Sequence, residues 1–312
     1  MPPAIVLHAD WSTDPKKRWV AQATLDGNVY RLSEPRPADT HTLISSALRQ
    51  AGGGNVLVGF DFPIGLPRVF ARTAGIRRFL EALPEFGKGR WQRFYEPAAL
   101  QDEISVERPF YPARPGGKKQ EHLVRGLGVG TMNDLLRRCD RGNENRNKAC
   151  AIFWTLGGNQ VGRAAIAGWR EVLVPAIRSL GPRVGVWPFD GELSSLLETR
   201  ACVIAETYPA DACVQIGLRA PGRGWSKRKQ EHRVTQATGL QGWARSRPVD
   251  LEGVNDLLSR GFGADRVGED RFDAFVGLCG MLDVVLGRRG AGVPQQDEDV
   301  QTVEGWILGQ RP

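Results

Sequence analysis

The stretch Ala4-Ile5-Val6-Leu7-His8-Ala9-Asp10 decides the fold. It is too brief for a helix, rich in branched apolar residues and closed by an acid, which together predict a buried strand carrying a carboxylate at its end. Next, Arg18 to Leu25 predicts a second strand, Asp26-Gly27-Asn28 a tight hairpin turn, and Val29 to Leu32 a third strand. Thr40 to Ala51 then sets Leu43, Ile44, Ala47 and Leu48 on one helical stripe, stopped by Gly52-Gly53-Gly54. Asn55-Val56-Leu57-Val58-Gly59-Phe60 is a fourth apolar run, again closed by an acid, Asp61, and halted by Pro63. An antiparallel meander, a helix and a further strand point to an α/β domain.

The same ending recurs once more, where Ala201-Cys202-Val203-Ile204-Ala205 runs into Glu206 and then Pro209. Ligands of open α/β sheets gather beyond the carboxyl ends of the strands, so acids at neighbouring ends converge, and convergent carboxylates repel unless a cation joins them. A helix from Glu269 to Leu286 supplies Asp270 and Asp273, which share a face because residues three apart are neighbours. Any one of these acids has an ordinary reading as a cap or turn residue. Asp273 resists that reading, because it lies inside the helix between Phe272 and Phe275 on the side expected to pack. Buried charges are rare unless paired or metal-bound, so the set as a whole reads as a metal-binding carboxylate site.

With 312 residues and 41% hydrophobic content the chain can bury a substantial core, and residues 1–312 read as one domain. The core is expected at about 4–67 and 200–287. Between them, about 68–199 is rich in Pro, Gly and Arg and reads as a large, mainly helical insertion over the site, with helical spacing at Thr131 to Cys139 and Gly162 to Leu180. A formal charge of +7 suits an anionic partner. The five cysteines are scattered without a Cys-x-x-Cys pair, which predicts reduced thiols rather than a disulfide framework or a zinc site. No apolar stretch approaches a membrane span and no leader pattern opens the chain, so a cytoplasmic protein is expected.

The residues Ala9-Asp10, Phe60-Asp61-Phe62-Pro63-Ile64-Gly65-Leu66-Pro67, Glu206-Thr207-Tyr208-Pro209 and Glu269-Asp270-Arg271-Phe272-Asp273-Ala274 resemble a branch of the ribonuclease H-like superfamily, the predicted RNase H-like nucleases called domain of unknown function 429. The resemblance covers roughly residues 4–67 and 200–287. It implies a five-stranded mixed sheet, three antiparallel strands plus parallel ones, flanked by helices. It departs from the family where Trp11-Ser12-Thr13 follows Asp10, which places a bulky ring beside the site.

Two-metal phosphodiester hydrolysis uses cations roughly 3.5–4 Å apart, and carboxylates are the hard oxygen ligands that Mg²⁺ or Mn²⁺ prefers. Asp10 is expected to bridge, Asp61 and Asp273 to bind one metal each, and Glu206 or Asp270 to act as a further ligand or to orient water. Lys118, Lys119, Lys227 and Arg228, with the Arg137-Arg138 pair, are expected to grip phosphates of a nucleic acid or nucleotide. Trp154 and Asn159, in a Gly-rich stretch, are expected to line the cleft. The alternatives are a nucleotide-dependent phosphotransferase of the actin and sugar-kinase branch, and a non-catalytic nucleic-acid-binding module. No Gly-x-Ser-x-Gly elbow is present, and His8 reads as a packed residue rather than a base.

Overall fold

Every residue of β1 (Ile5–Asp10) except Asp10 is buried, and this strand becomes the middle of a mixed sheet. The computed structural model describes residues 2–142, 148–157, 161–219, 224–294 and 297–312. The other strands are β2 (Trp19–Asp26), β3 (Val29–Pro37), β4 (Val56–Phe60), β5 (Val184–Val186), β6 (Cys202–Glu206) and β7 (Val249–Asp250), arranged in the order β5-β6-β4-β1-β2-β3-β7. The meander β1-β2-β3 is antiparallel, and Gly27 turns its hairpin with a positive φ of 59°. All the remaining neighbours pair in parallel.

The sheet therefore has seven strands rather than the five expected. The two extra strands, β5 and β7, are one at each edge and only three and two residues long. So short a run carries no period; its conformation is set by the sheet edge it joins, which is invisible to local pattern. β5 also shows that the stretch expected to be an insertion contributes to the sheet itself.

Alternation along the strands sends side chains to two separate cores. Ile5, Leu7, Ala9, Val56, Val58, Phe60, Cys202 and Ile204 face one side, packing against the helix Leu43–Gln50 and against the segment that links β4 to β5. Val6, Leu57, Val203 and Ala205 face the other, packing against the long helix Gly268–Val285. The linking segment is built of short helices and single turns, apart from the continuous run Val161–Gly168, Trp169–Leu173, Val174–Leu180. Thr131 to Cys139, expected as a helix, forms the single turns Met132–Leu135 and Arg138–Asp140 instead.

The long helix and the sheet meet closely at two glycines, Gly277 on the helix and Gly59 on β4. A Cβ on Gly277 would stand 2.3 Å from the His8 ring, and one on Gly59 would stand 2.4 Å from the Met281 sulfur. His8 is buried, its Nδ1 donates to the Ala274 carbonyl at 3.0 Å, and burial pulls its pKa down to about 3, so the ring is neutral and serves packing. Among the described residues no helix is long and apolar enough to cross a membrane.

Replacing Gly277 by Ala should force the helix away from β1 and destabilise the protein by about 1–3 kcal/mol. Chemical denaturation would read this as a lower midpoint at unchanged slope; an unaltered midpoint would mean that the helix shifts freely.

Candidate functional site

β1 and β4 run parallel with Ala9 opposite Phe60, so Asp10 and Asp61 leave neighbouring strand ends one residue beyond that pair, toward the long helix. The Trp11 amide donates to Asp61 Oδ1 at 2.7 Å and fixes its carboxylate. The Trp11 ring turns to the opposite face, edge-on to Phe60 at 5.6 Å and to Phe62 at 5.7 Å. The ring therefore packs across the sheet from Asp10, contrary to the expectation of a bulky ring beside the site.

The first turns of the long helix supply the third wall. Phe272 and Phe275 are buried in the core, and Asp273 between them is also buried. The Lys227 ammonium pairs with Asp273 and lies 3.4 Å from Glu269, while Arg228, largely exposed, reaches Glu269 at 3.6 Å.

Negative charge exceeds positive here, and the acid strengths record it. Burial, then the Asp61, Asp273 and Asp270 carboxylates, push Asp10 well above the usual carboxylate range. Burial pushes Asp61 up to about 7, although hydrogen bonds from the Trp11 amide and the Asp10 carboxyl pull the other way. Asp270 rises to about 6 through burial and its neighbours Glu269 and Asp273. Asp273 is raised by burial, against the opposing pull of Lys227. Among the described residues no basic side chain lies within ion-pair distance of Asp10 or Asp61. Like charges held together in this way favour a cation or a retained proton.

Glu206 does not join them. It aligns with Phe60 and Ala9, one residue short of the Asp10 and Asp61 row, so its side chain emerges on the opposite face of the sheet. There the buried Arg137 guanidinium binds it with two hydrogen bonds of 2.5 and 2.6 Å, and the Ile64 amide adds a third at 2.6 Å. Arg137 also holds Asp140 at 2.9 Å, so it is a structural cation rather than a phosphate grip. Ligand atoms of Cys139, Asp140 and Glu206 lie within 4.8 Å of one another, a spacing that admits a metal ion. The donor set does not fit one. A guanidinium already occupies both carboxylates with close hydrogen bonds, and burial pushes the Cys139 thiol well above its usual range, keeping it protonated.

The expected substrate contacts are redistributed. Lys227 neutralises carboxylates rather than gripping phosphate. Lys118 donates to the Ala99 carbonyl at 2.7 Å, Lys119 is exposed, and Trp154 packs with Tyr111 against the core on the face away from the long helix. The linking segment thus covers the side of the sheet opposite the acids and does not roof the site. Asn159 lies outside the described residues. Glu269 was missed as a member of the cluster, although its place three and four residues from the first inward positions of the helix put it within reach of Lys227.

Compared with protein-family models, curated proteins and solved structures, the chain shows no match to any.

The acids store repulsion that a neutral amide would relieve. Between about pH 4 and 7 the folded chain holds protons that the unfolded chain has released, so the metal-free protein loses stability as pH rises through that window. Asp10→Asn should therefore raise the melting temperature by about 2 °C or more at pH 8 and leave it nearly unchanged at pH 5; thermal melts at both pH values without divalent ions give the comparison. Glu206→Gln should instead lower stability by about 3 kcal/mol, because it weakens a buried pair, while leaving Mn²⁺ titration as in the parent. A loss of Mn²⁺ binding in that variant would return Glu206 to the site.

Proposed function

We propose that this chain is a ribonuclease H-like nuclease or phosphodiesterase that hydrolyses phosphodiester bonds with Mg²⁺ or Mn²⁺ held by Asp10, Asp61 and Asp273. The observation that carries this reading is the pairing of Asp10 with Asp61 at adjacent parallel strand ends, hydrogen-bonded to each other with no cation at ion-pair distance among the described residues. The strand order β3-β2-β1-β4-β6, antiparallel through the first three and parallel after, supports the fold assignment, with β5 and β7 as additions at the edges. Oxygen-only ligands suit a hard divalent ion.

When bound, such an ion supplies a nucleophilic water at neutral pH and draws charge from the phosphoryl oxygens. The chain's own residues do the rest. Asp10, whose acidity is weakened by the nearby Asp61 and Asp273 carboxylates, would hold the ion together with them. The Trp11 amide and Lys227 fix the orientations of Asp61 and Asp273, so neither carboxylate has to be ordered when the ion arrives. Asp270, less buried and titrating at about 6, is poised to hold a water and accept its proton.

Calorimetric titration of Mn²⁺ should show binding to the parent that disappears in Asp10→Asn and in Asp61→Asn. Affinity should rise between about pH 6 and 8 with release of protons, because a carboxyl titrating at about 7 must ionise to bind the ion. Cleavage assays on DNA, RNA and nucleotides then follow under loading conditions. Equal Mn²⁺ binding by parent and both variants would sink the proposed site.

A further inference from the structure

Beside the carboxylates, on the β2 side, lies a groove of about 360 Å³ lined by Trp19, Glu34, Arg36, Leu257, Arg260 and Arg271. Trp19 sits directly opposite Asp10 in the antiparallel register and emerges on the same face, toward the long helix. Directly opposed residues of antiparallel strands lie about 5 Å apart at their Cα atoms, so the groove adjoins the site. Trp19 is 8% exposed, and its indole Nε1 has no hydrogen-bond partner among the described residues. An unsatisfied buried donor is costly unless something outside the fold accepts from it.

Three guanidinium groups line the groove together with Trp19. Arg271, next to Asp270 on the long helix, lies over the Trp19 ring with its guanidinium carbon 4.5 Å from the centroid. Asp265 holds Arg271 at 3.1 Å and Asp256 holds Arg260 at 3.0 Å, whereas Arg36 has no ion pair among the described residues. Glu34 is the single acid in the lining against three arginines. Planar guanidinium groups match the oxygens of a phosphate, and the indole face is already covered by Arg271, so a base has nothing to stack on. The groove suits a sugar-phosphate backbone and reads no sequence.

Resting on the phosphodiesterase reading, we infer that this groove binds a phosphate of the substrate strand neighbouring the one placed at Asp10 and Asp61. The substrate is then a polynucleotide, held by at least two phosphates, rather than a mononucleotide.

The test is binding of a fluorescently labelled short single-stranded oligonucleotide to the metal-free protein, followed by anisotropy between about 50 and 200 mM salt. Arg36→Ala/Arg260→Ala removes two surface charges from the groove without touching the carboxylates. It should weaken binding and make the slope of log affinity against log salt shallower by about 0.7, the change for one phosphate that is no longer neutralised. Arg77→Ala/Arg78→Ala, an equal loss of exposed charge in the linking segment, should leave the slope as in the parent. An unchanged slope in the groove variant, or an equal change in both, would overturn the inference. So would complete displacement of the oligonucleotide from the parent by inorganic phosphate at matched ionic strength, which would make the groove a site for free phosphate. Mn²⁺ titration of the groove variant should match the parent. That readout separates the two readings, because a carboxylate centre that fails to bind metal fails in the parent as well.

Discussion

The approach of Gly277 to the His8 ring governs everything around the site. A helix carrying an ordinary side chain at that position would ride higher on the sheet, and its first turns would carry Asp270 and Asp273 away from the strand ends. Close packing of an apolar helix is thus what compels like charges to share a small volume. Hydrophobic burial of Phe272, Phe275 and Leu278 stabilises the arrangement, and the carboxylates beside them work against it. A region held together by packing and strained by charge is a common signature of a binding centre.

Much of this was legible from the amino-acid order. The meander, its Gly27 turn, the helix after it, and the acids at the ends of two neighbouring strands all follow from local period and punctuation. Glu206 shows where that legibility stopped. It closes an apolar run just as Asp10 and Asp61 do, but the pattern gives no register between strands, and a displacement of one residue sends a side chain through to the other face. Arg137 and Lys227 were unreadable for a related reason. A basic residue in a polar stretch resembles any solvated cation until the fold reveals which acids it meets. β5 and β7 were too short to leave any periodic trace.

Two of the inward-facing cations, Arg137 and Lys227, play different parts. Arg137 is fully buried and engages Glu206 and Asp140 with several nitrogens at once, a permanent charge in a fork geometry that ties the linking segment to the end of β6. Lys227 is partly exposed and meets the Asp273 edge of its cluster with one ammonium, and among the described residues no cation stands at ion-pair distance from Asp10 or Asp61. One acidic group is closed by protein, and the other is left short of charge on the side where the strands end.

The closing residues of the charged network come late in the chain. Arg68, just after β4, is held by Asp297, Asp299 and Glu304, the last of them 236 residues downstream, and the Leu308 amide adds a further tie by donating to the Glu206 carbonyl. During synthesis every carboxylate of the candidate site emerges before the acids that pair with Arg68 and Arg138, and Val300, Val303, Trp306, Ile307 and Leu308 complete the two cores in that same late stretch. Arg137 can therefore fasten the linking segment to β6 as soon as Glu206 has emerged, whereas Arg68 and Arg138 wait for acids about 90 residues further on and until then stand open to any polyanion nearby.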